Sequence, residues 1–391
     1  MNVQPATRME RFPTSIFGEL KKAAAVRTSN DLPVYDLSLG SPDLPPAEAV
    51  RQTLSEKSAL ATSYGYTLTG TTRFYEAVAT YYKNRMGVSL DPETEIIQTM
   101  GSQEGLVHLP LAFCNEGDIV LTTNPAYVAY DAGIHVAGAI PYYLSLDEEN
   151  GFLPDIASIP DEIADKAKLL ILNLPGNPVP ALPSDSFFKD VVTFAKKHNI
   201  IVVHDAAYAE FYFDGSGPKS FLATPGAKEV GLEINSLSKT FSLAGARIAY
   251  IAGNAELIAV IKSLKSHLDY GIFEPIQEAA ITALSHAEEI TDNLRHVFSE
   301  RHKVLRQGLE ELGWKVAPSN GGMFIWAAYP YPMKDTEFVF HVLRETGVVM
   351  VPGSIFGTEG DGFARIALVK DVEVLKEALE ALKTLQPIEV G

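Results

Sequence analysis

Short runs dense in valine, isoleucine and leucine recur along this chain, each set off from the next by a stretch with helical periodicity. The runs are Glu95–Gln98, Asp118–Leu121, Leu169–Leu172, Ile200–His204, Leu232–Asn235 and Arg247–Ile251. Several are apolar at both alternating sets of positions, so both sides of each strand need cover. Parallel sheets sandwiched between helices meet that need. Gln103–Phe113 and Ser184–His198 carry helical patterns of suitable length to supply it. The alternation therefore predicts an α/β fold: a large domain whose mostly parallel sheet is flanked by helices. Its ligand crevice is expected at the carboxyl ends of the strands.

From Glu274 to Leu312 the pattern is long and helical, a bridge out of this sheet. Strand candidates Trp314–Ala317 and Met323–Ala328 follow, then a helix at Thr336–Glu345, strands Val348–Val351 and Phe363–Leu368, and a last helix at Asp371–Leu385. This half predicts a smaller α+β domain. The expected division is residues 1–45 as an N-terminal segment joining the small domain, 46–280 as the large domain, and 281–391 as the small one.

Charge narrows the partners. A net charge of −17 repels phosphate backbones and anionic membrane surfaces at long range, which argues against nucleic acid as the main partner. No apolar stretch approaches the ~18 residues of a spanning helix, and the first 30 residues lack the apolar centre of a signal peptide. A lone cysteine, Cys114, cannot form an internal disulfide and fits a reducing compartment. A cytoplasmic protein is expected. There is no dinucleotide-binding Gly-x-Gly-x-x-Gly after a strand, no Walker loop, no His-Glu-x-x-His and no Gly-x-Ser-x-Gly. The nine histidines show no metal-ligand spacing, and no metal is expected.

What remains is a constellation of polar residues at predicted strand ends. Ser236-Leu237-Ser238-Lys239 follows the strand Leu232–Asn235, with Arg247 eight residues beyond the lysine. In a crevice, desolvation and nearby cations make a lysine nucleophilic, while hydroxyls and a guanidinium suit a phosphate. Lysine plus phosphate nest points to pyridoxal phosphate. Asp205 ends the strand Ile200–His204, where an ionised carboxylate would keep a pyridine nitrogen protonated; Tyr208 lies three residues on. Gly101-Ser102-Gln103 opens a helix, where free backbone N–H groups attract anions. Tyr127 can stack on a planar ring, and Asn177 is a donor in a loop shaped by prolines. Arg365 interrupts an apolar strand and must be paired, with a carboxylate from protein or ligand.

With these residues in place, the chain resembles the class I and II aminotransferases, pyridoxal-phosphate enzymes of fold type I, from Asp36-Leu37-Ser38-Leu39-Gly40 to Arg365. The resemblance implies that Lys239 bonds to the cofactor and shuttles the α-proton, and that Asp205 faces the pyridine nitrogen. It implies that Tyr208 and Asn177 donate to the phenolic oxygen, and that Tyr127 stacks on the ring. Ser102, Gln103, Ser236, Ser238 and Arg247 would cradle the phosphate; Gly40, Asn177 and Arg365 would take the substrate's carboxylate. Of the two tyrosines in Tyr64-Gly65-Tyr66, Tyr64 is the favoured counterpart of the residue that reaches a neighbouring subunit's phosphate. A homodimer with shared sites follows from that.

The implied activity is ping-pong transfer of an amino group between an L-amino acid and a 2-oxo acid. The sequence looks closer to the bacterial branch that includes LL-diaminopimelate and aromatic aminotransferases. One departure stands out: the family usually continues Asn-Pro-Thr-Gly, whereas this chain reads Asn177-Pro178-Val179-Pro180. Two alternatives share the residues. A β-eliminating carbon–sulfur lyase would use the same fold and cofactor. A non-catalytic effector-binding module is opposed by the acidic charge and by the short stretch ahead of the first motif.

Overall fold

The computed structural model describes residues 1, 3–12 and 16–385. A short strand β1 (Tyr35–Asp36) precedes a seven-stranded sheet built from β2 (Ile96–Thr99), β3 (Ile119–Asn124), β4 (Ile140–Ser145), β5 (Ala167–Leu172), β6 (Ile201–Asp205), β7 (Gly231–Ser236) and β8 (Ala249–Gly253). The spatial order is β2-β8-β7-β6-β5-β3-β4, and β8 alone pairs antiparallel with its neighbours. Successive residues feed two separate cores. Leu170, Leu172 and Val202 pack on one side of the sheet, and Leu169, Ile171 and Val203 on the other. That two-sided burial is what the unbroken apolar runs encode.

The expected strands are present to within one or two residues at most ends. Strand β4 is new. It lies at the sheet's edge, with Ile140 and Tyr143 exposed and Pro141 within it, so its sequence carries no buried-strand signature. The expected strand start at Arg247 is also displaced, because Arg247 adopts a left-handed backbone (φ 53°) and β8 begins at Ala249.

The long helical stretch is two helices, Glu274–Ser285 and Ala287–Glu311. They part at His286, whose Nδ1 lies 2.9 Å from the carbonyl of Thr282, an oxygen that Ser285 Oγ also bonds at 2.8 Å. The His286 N–H also reaches this carbonyl, at 3.2 Å, so both side chains share an acceptor already used by the backbone. Beyond lie β9 (Lys315–Val316), β10 (Phe324–Ala328), β11 (Val348–Val349), β12 (Val351–Pro352) and β13 (Phe363–Ala367). Four of them form an antiparallel sheet in the order β12-β13-β10-β9, while β1 pairs parallel with β11. Ile16 and Leu20, from the helix Ile16–Ser29, share a core with Leu37, Phe324 and Val348. The chain's first segment thus packs with its last. No helix among the described residues is long and apolar enough to cross a membrane.

Candidate active site

Strands β3, β5, β6 and β7 all end at the same edge of the sheet, as does β2, which lies across the reversed β8. Because β8 runs the other way, Arg247 enters the sheet at the edge where the others leave it. This topology gathers residues from 17 to 365 around one cavity of about 330 Å³. Every expected site residue but one lines it: Gly40, Ser102, Gln103, Tyr127, Asn177, Asp205, Tyr208, Ser236, Ser238, Lys239, Arg247 and Arg365. Phe17, Leu39, Val128 and Asn173 join them.

Lys239 sits on the single helical turn after β7, where Ser236 Oγ accepts the N–H of Ser238 at 3.2 Å. Its Nζ donates to the carbonyl of Gly40. Burial, with Arg365 and Arg247 nearby, brings its pKa down to about 8, against a smaller pull from Asp205. A neutral, nucleophilic amine is therefore accessible near neutrality.

Asp205 is fully enclosed at the end of β6. Burial raises its pKa, while Tyr130 O–H (2.8 Å to Oδ2), the N–H of Ala207 (3.2 Å to Oδ1), His204 and Lys239 favour the ionised form. Tyr130 is a contact that the sequence reading missed. It lies 75 residues from its partner, and only the helix Ala129–Val136 after β3 turns its hydroxyl toward β6.

The loop after β5 is tied to the same carboxylate residue. Asn173 Nδ2 donates to the carbonyl of Asp205 at 2.7 Å, and Asn173 Oδ1 accepts the N–H of Asn177 at 2.8 Å. Asn177 Oδ1 in turn accepts from Arg365 Nη1 at 2.8 Å. Pro180 packs against Gly322, where a Cβ would come within 2.4 Å of it and φ is +80°. Ser319 Oγ bonds the Pro180 carbonyl at 2.6 Å.

Arg365 is buried on β13, its guanidinium over the rings of Phe324 (4.5 Å) and Phe356 (4.9 Å). Burial lowers its pKa to about 10. Nη2 donates to the Ser38 carbonyl, but Nε has no partner, and no carboxylate pairs with the group among the described residues. A buried guanidinium in this state leaves a carboxylate's place open.

At the opposite end lies an anion cradle. The helix Ser102–Phe113 starts after Gly101, at φ +79°, and Glu104 Oε2 reaches back to the N–H of Met100 at 2.7 Å. A Cβ on Gly101 would lie 2.2 Å from Nη2 of Arg247. Only glycine lets the guanidinium approach this close to the helix start. Backbone N–H groups, the four hydroxyl or amide side chains of Ser102, Gln103, Ser236 and Ser238, and a guanidinium form a donor set that fits a phosphate.

Tyr64 is the exception. It is exposed, donates to the Ser58 carbonyl at 2.8 Å and packs against Phe273, away from this chain's own cavity. Among the described residues, Glu104, His108 and Asp269 come together in a way that could suggest a metal, but the Lys265 ammonium already bonds both carboxylates. The half-buried Cys114 thiol is pushed up to about 12 by burial, which leaves it a poor nucleophile.

A buried lysine, a buried carboxylate, an anion-suited donor set and an arginine without a carboxylate partner among the described residues line one cavity, on a mostly parallel sheet of the fold type I kind. Residues 33–382 match the family described as aminotransferase class I and II, and the chain belongs to that family. LL-diaminopimelate aminotransferases of Aquifex aeolicus and Halothermothrix orenii are 40% and 38% identical to it, each over 97% of this chain and 98% of the relative. The substrate-bound structure of BacF from Bacillus subtilis superposes with a TM-score of 0.92 at 36% identity, over 98% of both chains. The chain is thus an aminotransferase of the EC 2.6.1 type, moving amino groups between small amino and 2-oxo acids, and its family implies pyridoxal phosphate as cofactor. Neither the lyase nor the effector-binding alternative is favoured by these likenesses.

Proposed function

We propose that this chain holds pyridoxal 5′-phosphate in the cavity around Lys239 and transfers amino groups there by a ping-pong route. The observation that carries the reading is Arg365: buried, lacking a carboxylate partner among the described residues, and lining the same cavity as Lys239 and Asp205. Pyridoxal phosphate, when bound, supplies the electron sink for the carbanion left by α-proton removal. The residues supply the rest. Ser102, Gln103, Ser236, Ser238 and Arg247 bind the phosphate, and Asp205 faces the ring nitrogen as an anion. Tyr208 and Asn177 donate to the phenolic oxygen, and Tyr127 covers the ring. Gly40, Asn177 and Arg365 hold the substrate's α-carboxylate, so that its Cα–H lies within reach of Lys239. Nζ of Lys239, which anchors the cofactor at rest, takes that proton and returns it on the other side of the exchange.

The amino donor is an L-amino acid, and the names of the curated relatives make LL-diaminopimelate the first to try. Among the described residues no cation besides Lys239, Arg247 and Arg365 lines the cavity, so aspartate is expected to be a poor donor. A panel of donors against 2-oxoglutarate, followed by cofactor absorbance, tests the reading. Pyruvate and sulfide released from cystathionine, with no donor supporting transfer, would replace it by β-elimination.

The division proposed is residues 1–45 with the small domain, 46–280 as the large domain, and 281–391 as the small one; Ile16, Leu20 and Leu37 share the small domain's core, while Arg11 reaches His135 of the large one at 3.0 Å. The chain acts in the cytoplasm as a homodimer. Tyr64, Tyr66, Leu68, Leu268 and Tyr270 form an exposed apolar surface, with the Tyr66 and Tyr270 rings 5.6 Å apart, which a second copy would cover. In that dimer Tyr64 is the residue that reaches the partner's phosphate. Light scattering on purified protein should give twice the chain mass.

Two further results are expected. Arg365→Lys should raise KM for amino acids about tenfold with a smaller change in kcat, because a point charge replaces a two-pronged donor; equal KM in both proteins would remove Arg365 from the substrate site. In the cofactor-free protein, capture of pyridoxal phosphate should accelerate as pH rises through about 8 and level off above it, since the neutral amine is the reactive form. A midpoint near the ordinary lysine value of 10.5 would contradict a desolvated Lys239.

A further inference from the structure

His204 lies one residue before Asp205 on β6, fully buried, and its side chain turns to the other face of the sheet. Both ring nitrogens meet oxygens. Nδ1 is 3.0 Å from Oε2 of Glu233, its register partner on β7, and Nε2 is 3.0 Å from the carbonyl of Leu174. The carbonyl can only accept. Glu233 is likewise an acceptor: Tyr82 O–H (2.7 Å), Ser220 O–H (3.0 Å) and the N–H of Phe221 (2.9 Å) all point at its carboxylate. Two acceptors require two N–H groups, which an imidazole has only as the cation.

The charged and titratable groups around the ring act in the same sense. Glu233 faces it from β7 and Asp205 adjoins it in the strand; Tyr82, from the helix Thr72–Met86, and Tyr250, on β8, stand behind Glu233. The Phe188 ring meets it edge-on at 5.2 Å. Burial opposes the charged ring, but the Glu233 carboxylate, the Leu174 carbonyl and Asp205 outweigh it and raise the pKa.

Leu174 opens the loop that carries Asn177. From its carbonyl the contacts run through Asn173, bonded both to the Asp205 carbonyl and to the Asn177 N–H, and on to Arg365. We propose that His204 is a positioning residue: a ring that donates from both nitrogens, paired with Glu233 on the sheet's far face, that clamps the Leu174 carbonyl and so fixes Asn177 and Arg365 for the substrate's carboxylate. The proposal rests on the assignment of those two residues to the substrate site.

Two near-isosteric variants separate its two bonds. The amide of His204→Asn stands where Nδ1 does, keeping Glu233 and losing Leu174. That of His204→Gln stands where Nε2 does and keeps Leu174. With cofactor content matched, KM for the amino acid should rise about tenfold in His204→Asn, the loss of one buried bond, with kcat changed far less. His204→Gln should restore most of it. A purely structural role would lower the melting temperature of both and leave both KM values alone, and that result overturns the proposal. Independently of either variant, nitrogen-15 NMR of wild-type protein at neutral pH, with and without pyridoxal phosphate, should show both His204 ring nitrogens protonated on this view. One unprotonated nitrogen overturns it as well. Failure of the underlying assignment looks different: Arg365→Lys would then leave KM for amino acids unchanged.

Discussion

Lys239→Ala is expected to lower kcat for amino transfer by about 10³-fold or more, because one side chain serves as both anchor and base. The turn after β7 holds Nζ against the Gly40 carbonyl, inside a cavity that burial and two arginines keep unfavourable for its charge. Alanine removes the amine and leaves that environment intact. The Ser236–Ser238 cradle and Arg247 do not depend on it, so the variant should still bind pyridoxal phosphate, more weakly and reversibly. Mass spectrometry after borohydride treatment separates the two functions. Wild-type protein should gain the cofactor's mass on the peptide containing residue 239, and the variant should not. A variant that keeps its turnover, or a labelled peptide that maps to another lysine, would place the chemistry elsewhere. Added methylamine should restore part of the lost rate, since a small amine can occupy the emptied space and carry the proton.

The parts of this site that are legible in the sequence are those where a residue type conflicts with its surroundings. Arg365 amid Phe363, Ala364, Ile366 and Ala367 is such a conflict, and the structure resolves it with Asn177, a carbonyl and two aromatic rings rather than a protein carboxylate. Asp205 and Lys239 are legible because apolar strands end directly before or at them, and strand ends in a parallel sheet converge. Tyr130 and His204 are not. Each is a buried polar residue in an apolar run, and its meaning lies in a partner 75 or 29 residues away that only strand order brings near. Strand β4 was hidden for the opposite reason: an edge strand has one side in solvent and needs no continuous apolar run. The break at His286 was hidden too, because it turns on side-chain bonds to a single carbonyl within an otherwise uniform helical pattern.

Asp205→Asn is the second substitution from which a large loss is expected, a fall in kcat of about 10²–10³-fold, the usual scale for removing one preorganised electrostatic contact. The asparagine keeps the shape, and an amide oxygen can still accept from Tyr130 or Ala207, so folding should be little affected. What goes is the negative charge. In the bare cavity that charge is opposed by burial and supported by two hydrogen bonds and by the cations of His204 and Lys239. A cationic ring nitrogen placed against it would tip the balance further toward the ionised form. Without the carboxylate nothing else among the described residues that line the cavity can hold a ring proton, because the remaining charged groups there are Lys239, Arg247 and Arg365. The loss should therefore fall on kcat, with the phosphate cradle still binding cofactor and KM little changed, and the bound cofactor's absorption should shift as its ring loses a proton. Tyr130→Phe, which withdraws one of the two hydrogen bonds and leaves the charge, should show the same spectral change in weaker form and a loss of about tenfold or less. If Asp205→Asn turns over within a factor of about three of wild type, well below the loss expected for such a contact, the ring nitrogen does not depend on this carboxylate.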